Sequence, residues 1–412
     1  MDEKKVKDLT AYNERFNEDP TSFNDFQASD YVKELKNQGK EDQAIEVGRT
    51  FLEQCPELSG YINYYGYALY NRYINIDDEK IAENEKLFYD ILAEIASHCR
   101  QERYSPLEAA INKAIKYESK KNPVDYKKLS DLLDNLDAPT LEDTPFVNKE
   151  GKEFESKKEK WYRMKVRALY EIGNYSECLK QAQIATGLPL KWHYNNLNWV
   201  QYYKASALVK LGRYEEAENI FIALKDKFRA VNFQEILYDL YLHTGRENIA
   251  YTQLFYEFFR DGFNYVFIDC YKKITELAKE KGEEKAYKLG SAMIKKLEEE
   301  KEKSYEVDVD VSEYDAYSAS YLYDLFYNEI MRHLNRYIER HEGRVVYYNA
   351  AKRFGSIGLP TEEDNLFFLQ GDYIYDDQEV DRGDTVEYSV IKTFDKKKQT
   401  PSSKAVLIRT IY

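Results

Sequence analysis

Residues 211–221, LGRYEEAENIF, decide how this chain is read, because their spacing recurs on both sides of them. A helix is expected to end near Gly212, an aromatic follows two residues later at Tyr214, and Ala217 lies five after the glycine. The same signal returns as Gly173-Asn174-Tyr175 with Cys178, as Gly39 with Ala44 and as Gly245 with Ala250; Gly282 with Ala286 is a fifth, one residue out of register. Glycine lets the chain turn where one helix stops, and a small residue in the next helix lets the two backbones approach, so each copy reads as a helical hairpin. Gly173, Gly212 and Gly245 stand 39 and 33 residues apart, a period expected of stacked hairpins.

Composition bounds what surrounds this pattern. A chain of 412 residues is too long for one core, which points to two or three domains or an array. Apolar content of 43% excludes wholesale disorder, and 33% charge suits well-solvated helix faces. The 39 tyrosines are read as packing residues whose hydroxyls reach water. A net charge of −14 argues against a polyanion binder acting through its whole surface, while leaving room for one local site. Cys55, Cys99, Cys178 and Cys270 show no paired spacing and read as thiols of a reducing compartment, neither disulfides nor zinc ligands. The N-terminus MDEKKVKDLT has no apolar stretch of a signal peptide, and no run is long enough to cross a bilayer; a cytoplasmic location and no membrane partner are expected.

In order along the chain, residues 1–28 form a polar lead-in and 29–140 form N-terminal helical hairpins. The first hairpin is taken to begin at Asp30, and one long helix is expected over 78–98. Residues 141–158, polar and proline-bearing, read as a loop or insertion at the internal boundary. An array and connecting helix occupy 159–340, and a small barrel occupies 341–412. VDVDVSEYD at 307–315 invites a calcium reading that fails, because Glu313 stands at the turn-glycine position and Ala319 at the distal glutamate.

The array's two best units are KWYRMKVRALYEIGNYSECLKQAQIATG and WVQYYKASALVKLGRYEEAENIFIALKDKF. They resemble tetratricopeptide repeats, although the family's closing proline is missing from both and the connector 191–198 is longer than the family needs. The resemblance implies that the first helix of each hairpin lines a concave face. Lys160, Arg163 and Arg167 would then point inward from one unit, and Trp199, Tyr202 and Ser206 from the next, a combination suited to an acidic or carboxylate-bearing peptide of an unidentified protein partner. The alternative is that these are ordinary solvated and packing residues. Asparagines of the chaperone-type carboxylate clamp are not found at matching positions.

From Gly343 the pattern changes to period two, in GRVVYYN, NLFFL, DTVEYSVIK and KAVLIRTIY, as short strands of an all-β barrel would require. The order Gly343-Arg344-Val345-Val346-Tyr347-Tyr348-Asn349-Ala350-Ala351-Lys352-Arg353-Phe354-Gly355-Ser356-Ile357, then Asp364-Asn365-Leu366-Phe367-Phe368-Leu369, then residues 380–388 (VDRGDTVEY), resembles a cold-shock domain, a five-stranded barrel of the oligonucleotide-binding type. The resemblance implies stacking of unpaired bases on Tyr347, Phe354 and Phe367, with Lys352 and Arg353 facing phosphates and Asn349 hydrogen-bonding. Ser356 stands where the family has another stacking phenylalanine, and Leu369 where it has histidine. Lys396, Lys397 and Lys398 offer a cationic edge on the last hairpin loop.

The fold expected is therefore mainly α, a tetratricopeptide-like helical-hairpin solenoid with a small C-terminal five-stranded barrel. The function expected is a non-enzymatic adaptor that holds a protein partner on the array and single-stranded RNA, in preference to DNA, on the barrel. By analogy of architecture, a bacterial regulatory or defence pathway is its setting. The alternative is a pure protein scaffold whose barrel has lost nucleic-acid binding. No catalytic residue, cofactor or metal is expected, since His98, His193, His243, His333 and His341 show neither metal nor triad spacing and no phosphate-binding loop is present.

Overall fold

The computed structural model describes residues 7–225, 227–358, 365–375, 379–395 and 397–411. Asp364 and Lys396 of the reading above lie outside the described residues. The described chain is mainly helical and ends in a closed five-stranded barrel. It divides into two compact units, Met1–Leu211 and Gly212–Tyr412. No described helix is long and apolar enough to cross a membrane.

All five glycines of the recurring signal adopt positive φ, between 69° and 79°. At Gly173 this left-handed turn joins the helices Lys157–Glu171 and Tyr175–Gly187, a conformation that a side chain would strain. The small residues five positions on, or four at Gly282, are all buried: Ala44, Cys178, Ala217, Ala250 and Ala286. Cys178 sits against backbone, its Sγ donating to Val166 O at 3.4 Å, and burial pushes its thiol pKa up to about 12.

In the first unit, local chemistry moves two expected boundaries. The first hairpin's helix runs Asp25–Asn37, starting ahead of Asp30, because Asn24 and Gln27 cap each other: Gln27 N donates to Asn24 Oδ1 at 2.9 Å, and Asn24 N to Gln27 Oε1 at 3.2 Å. The single helix expected over 78–98 is two, Asp78–Glu83 and Glu85–His98; Asn84 breaks it with φ −145° and accepts from Leu87 N at 3.3 Å. The expected loop at 141–158 holds a small hairpin, strands β1 (Phe146–Val147) and β2 (Glu153–Phe154), folded around Asn148, whose side chain accepts from Glu150 N and Lys152 N. Strands of two residues are too short for alternation to show in sequence. Tyr31, Tyr61 and Tyr65 are fully buried in this unit's core, each contributing on the order of 1.5–3 kcal/mol through its ring.

The second unit carries the helices Tyr214–Lys225, Phe233–His243, Glu247–Asp261, Ile268–Glu280, Glu284–Glu299 and Ala319–Arg332, then the barrel. Its strands are β3 (His341–Asn349), β4 (Phe354–Gly358), β5 (Leu366–Leu369), β6 (Thr385–Asp395) and β7 (Thr400–Thr410), closed in the order β3-β4-β5-β7-β6. Every pairing is antiparallel except β5 with β7. Val345, Ile357, Phe368, Tyr388, Ala405 and Ile408 fill the interior. The helices Tyr214–Lys225 and Glu247–Asp261 pack against β6 and β7. Just before the barrel, buried Arg340 donates to Ser389 Oγ (3.0 Å), Glu387 O (3.2 Å) and Leu407 O (2.6 Å). Burial lowers its guanidinium pKa to about 10, against the pull of the Glu387 carboxylate.

Candidate nucleic-acid interface

Strand register lays out one face of the barrel. Tyr347 pairs with Ser356 and Ser356 with Phe367; in the next row Asn349 pairs with Phe354 and Phe354 with Leu369. Directly paired residues share a face, so these six side chains form two rows across β3, β4 and β5. The alternate residues Tyr348, Gly355 and Phe368 turn the other way, where Tyr348 and Phe368 stack with centroids 6.3 Å apart.

On the outward face the three predicted rings are contiguous. The centroid of Phe354 lies 5.9 Å from that of Tyr347 and 5.8 Å from that of Phe367. Tyr347, Phe367 and Leu369 are 48%, 44% and 45% exposed, so the surface is open within this chain. Ser356 leaves a gap between Tyr347 and Phe367, and Leu369 extends the apolar surface beside Phe354 without a π face.

The polar residues expected around the platform are shaped by the β3–β4 turn. Asn349 Oδ1 accepts from Lys352 N at 3.0 Å, and its amide donates to the Tyr347 hydroxyl at 3.4 Å. Arg353 takes φ 53° and donates from Nε to Gln370 Oε1 at 3.0 Å, which keeps it close to the barrel wall. Lys352 is exposed at the turn.

Phe354, Phe367 and Leu369 also form one side of a groove of about 730 Å³. Its remaining walls bring together Lys392, Phe394 and Lys397 from the β6–β7 hairpin with Ile222 and Lys225 from one helix and Tyr256 and Arg260 from another. Lys397 is the described member of the expected cationic edge that lines it. At its base Lys404 donates to Asp372 Oδ1 (2.8 Å) and to the Tyr256 hydroxyl (2.9 Å), which itself donates to the same carboxylate oxygen (2.6 Å). Burial opposes the charge on Lys404, but the adjacent Asp372 carboxylate outweighs it and raises the ammonium pKa. Burial and the same carboxylate raise that of Tyr256. The helical residues Lys225, Tyr256 and Arg260 carry no local sequence signal, because they reach the barrel from more than 80 residues away.

The residues expected to receive a partner on the array lie in the first unit. Arg163 makes a two-pronged bond to Glu155, at 3.0 and 2.8 Å. Arg167 lies over the Tyr126 ring at 5.3 Å and 3.7 Å from Glu171. Lys160 donates to Asn112 Oδ1 at 3.1 Å, and burial lowers its pKa. Trp199 meets Tyr202 edge-on at 5.7 Å and stacks on Tyr203 at 6.1 Å. A carboxylate ligand would therefore have to displace Glu155 from Arg163.

The same unit holds a cluster that histidine spacing did not reveal. His193 lies between two carboxylates, Nδ1 2.7 Å from Glu159 Oε2 and Nε2 2.8 Å from Glu153 Oε1. Fully buried Glu159 also accepts from His193 N (2.7 Å) and Asn196 Nδ2 (2.8 Å). The bond to Glu159, reinforced by Glu153, raises the imidazole pKa against burial. Among the described residues, no group of three or more His, Cys, Asp or Glu is placed to hold a metal ion. No family model matches the sequence, and no curated protein matches it.

Proposed function

We propose that this chain is a non-enzymatic adaptor whose barrel, of cold-shock type, binds single-stranded nucleic acid, RNA in preference to DNA, and whose tetratricopeptide-like helices receive a protein partner. The observation that carries the reading is the open, contiguous platform of Tyr347, Phe354 and Phe367 across three adjacent strands. Unpaired bases present π faces that such rings stack on whatever the sequence, and cations beside them meet the backbone. In the alternative, a scaffold whose barrel docks on the array or on a partner, Tyr347 and Phe367 would be covered by that contact and no nucleic acid would bind.

The test is fluorescence anisotropy of labelled pyrimidine-rich RNA and DNA strands against the full chain at two salt concentrations, with Tyr347→Ala/Phe367→Ala as the comparison. Salt-sensitive binding that the double variant loses supports the reading, because phosphate contacts weaken steeply with salt. Absence of binding at tens of micromolar protein leaves the scaffold.

A further inference from the structure

The platform does not end at the edge of the barrel. Phe354 and Phe367 belong at once to the ring surface and to the groove that the helices help to enclose. We propose that the helices Tyr214–Lys225 and Glu247–Asp261 form the second half of the reader. A strand stacked on the platform continues into the groove, its phosphates lying between Lys225 and Arg260 on the helical side and Lys392 and Lys397 on the barrel side. The inference rests on the nucleic-acid reading of the platform and adds the helical wall to it.

Charge and geometry support this path. In a chain of net charge −14, the groove concentrates cations from three separate elements, which is where a polyanion would be drawn. Asp395 accepts from the backbone N–H groups of Lys397 (2.8 Å) and Lys398 (3.0 Å), and Asp372 is paired with Lys404. Arg260 lies over the ring of Tyr256 at 5.3 Å, which holds its charge at the groove wall. Tyr256 is in turn held by Asp372 and Lys404, so the helical wall is fixed to the barrel strand that faces it.

A composite site predicts a dependence on strand length. Strands of about 4 nucleotides can occupy the platform alone, whereas those of about 8 and 16 also reach the helical wall. The experiment measures anisotropy of oligouridylates of these lengths against the full chain over a range of salt. It compares wild type with Lys225→Gln/Arg260→Gln, with Lys392→Gln/Lys397→Gln as a second groove variant, and with Tyr347→Ala/Phe367→Ala. Both groove variants should bind the shortest strand within about twofold of wild type and the longer strands about tenfold more weakly. Their slope of log affinity against log salt should be shallower by about 0.7 for each cation removed.

If the Lys225/Arg260 variant binds every length with wild-type affinity and slope while the ring variant loses binding, the helical wall is overturned and the platform stands. If wild type binds no strand, the platform reading falls and takes the groove with it.

Discussion

The hydroxyl of Tyr256 donates to the Asp372 carboxylate at 2.6 Å, a buried bond that ties a helix to the barrel it packs against. Lys404 completes the cluster by donating to both residues, so three polar groups satisfy one another away from water. Tyr256→Phe removes one donor and leaves Lys404 paired with Asp372. It should lower stability by about 1–3 kcal/mol in urea denaturation. Asp372→Ala strands a buried ammonium and should cost more, about 3–5 kcal/mol. The reverse order would show that the cluster does not hold the barrel in place.

Phe354 is the central ring of the platform, touching both of its neighbours. Phe354→Ala should weaken single-strand binding by about 1–3 kcal/mol in anisotropy titrations. Ser356 lies between Tyr347 and Phe367 in register, so Ser356→Phe should tighten binding by supplying the missing ring. Unchanged affinity in both variants would place the ligand elsewhere.

Gly355 sits on β4 with no room for a side chain between β3 and β5. A Cβ there would lie 2.5 Å from Phe368 Cζ and 2.5 Å from Tyr347 O, and the backbone oxygen cannot yield without opening the β3–β4 pairing. Gly355→Ala should destabilise the protein by about 1–3 kcal/mol. It should also weaken binding, because these two strands carry Tyr347 and Phe354. Wild-type denaturation and binding curves would refute this.

His193, clamped between Glu159 and Glu153, has its pKa raised in the folded protein. The unfolded imidazole titrates near 6.5. A raised folded value means that the charged clamp contributes fully below about pH 6.5 and is lost as pH rises through the folded pKa. His193→Gln should therefore lower the melting temperature most at about pH 5.5, with the gap narrowing toward pH 9. A gap independent of pH would show that the imidazolium contributes nothing to the clamp.

The helical hairpins were legible because their signal is local. A glycine at the turn and a small residue four or five positions on are dictated by backbone strain and close approach, and both act within one turn of helix. The outward rings Tyr347, Phe354 and Phe367 follow from the resemblance to a cold-shock domain; alternation alone misplaces Tyr347, because the ladder slips between Val345, which is buried, and Tyr347, which is exposed. The break at Asn84 and the start of the helix at Asp25 were not read, because each depends on one side chain choosing a cap over continuation. The β1–β2 hairpin, with strands of two residues each, is too short to leave a pattern in the sequence.

The turn glycines and the helical or strand character of most segments follow from the amino-acid sequence alone, because propensity, φ and alternation operate over a few neighbours. The state of the functional groups is set by packing between distant segments. Arg163 is taken by Glu155, His193 by two glutamates, and Lys225 and Arg260 line one groove with residues more than 80 positions later in the chain. Charge pairing and groove walls arise from elements brought together by packing, and no local pattern records which partner a long side chain will meet.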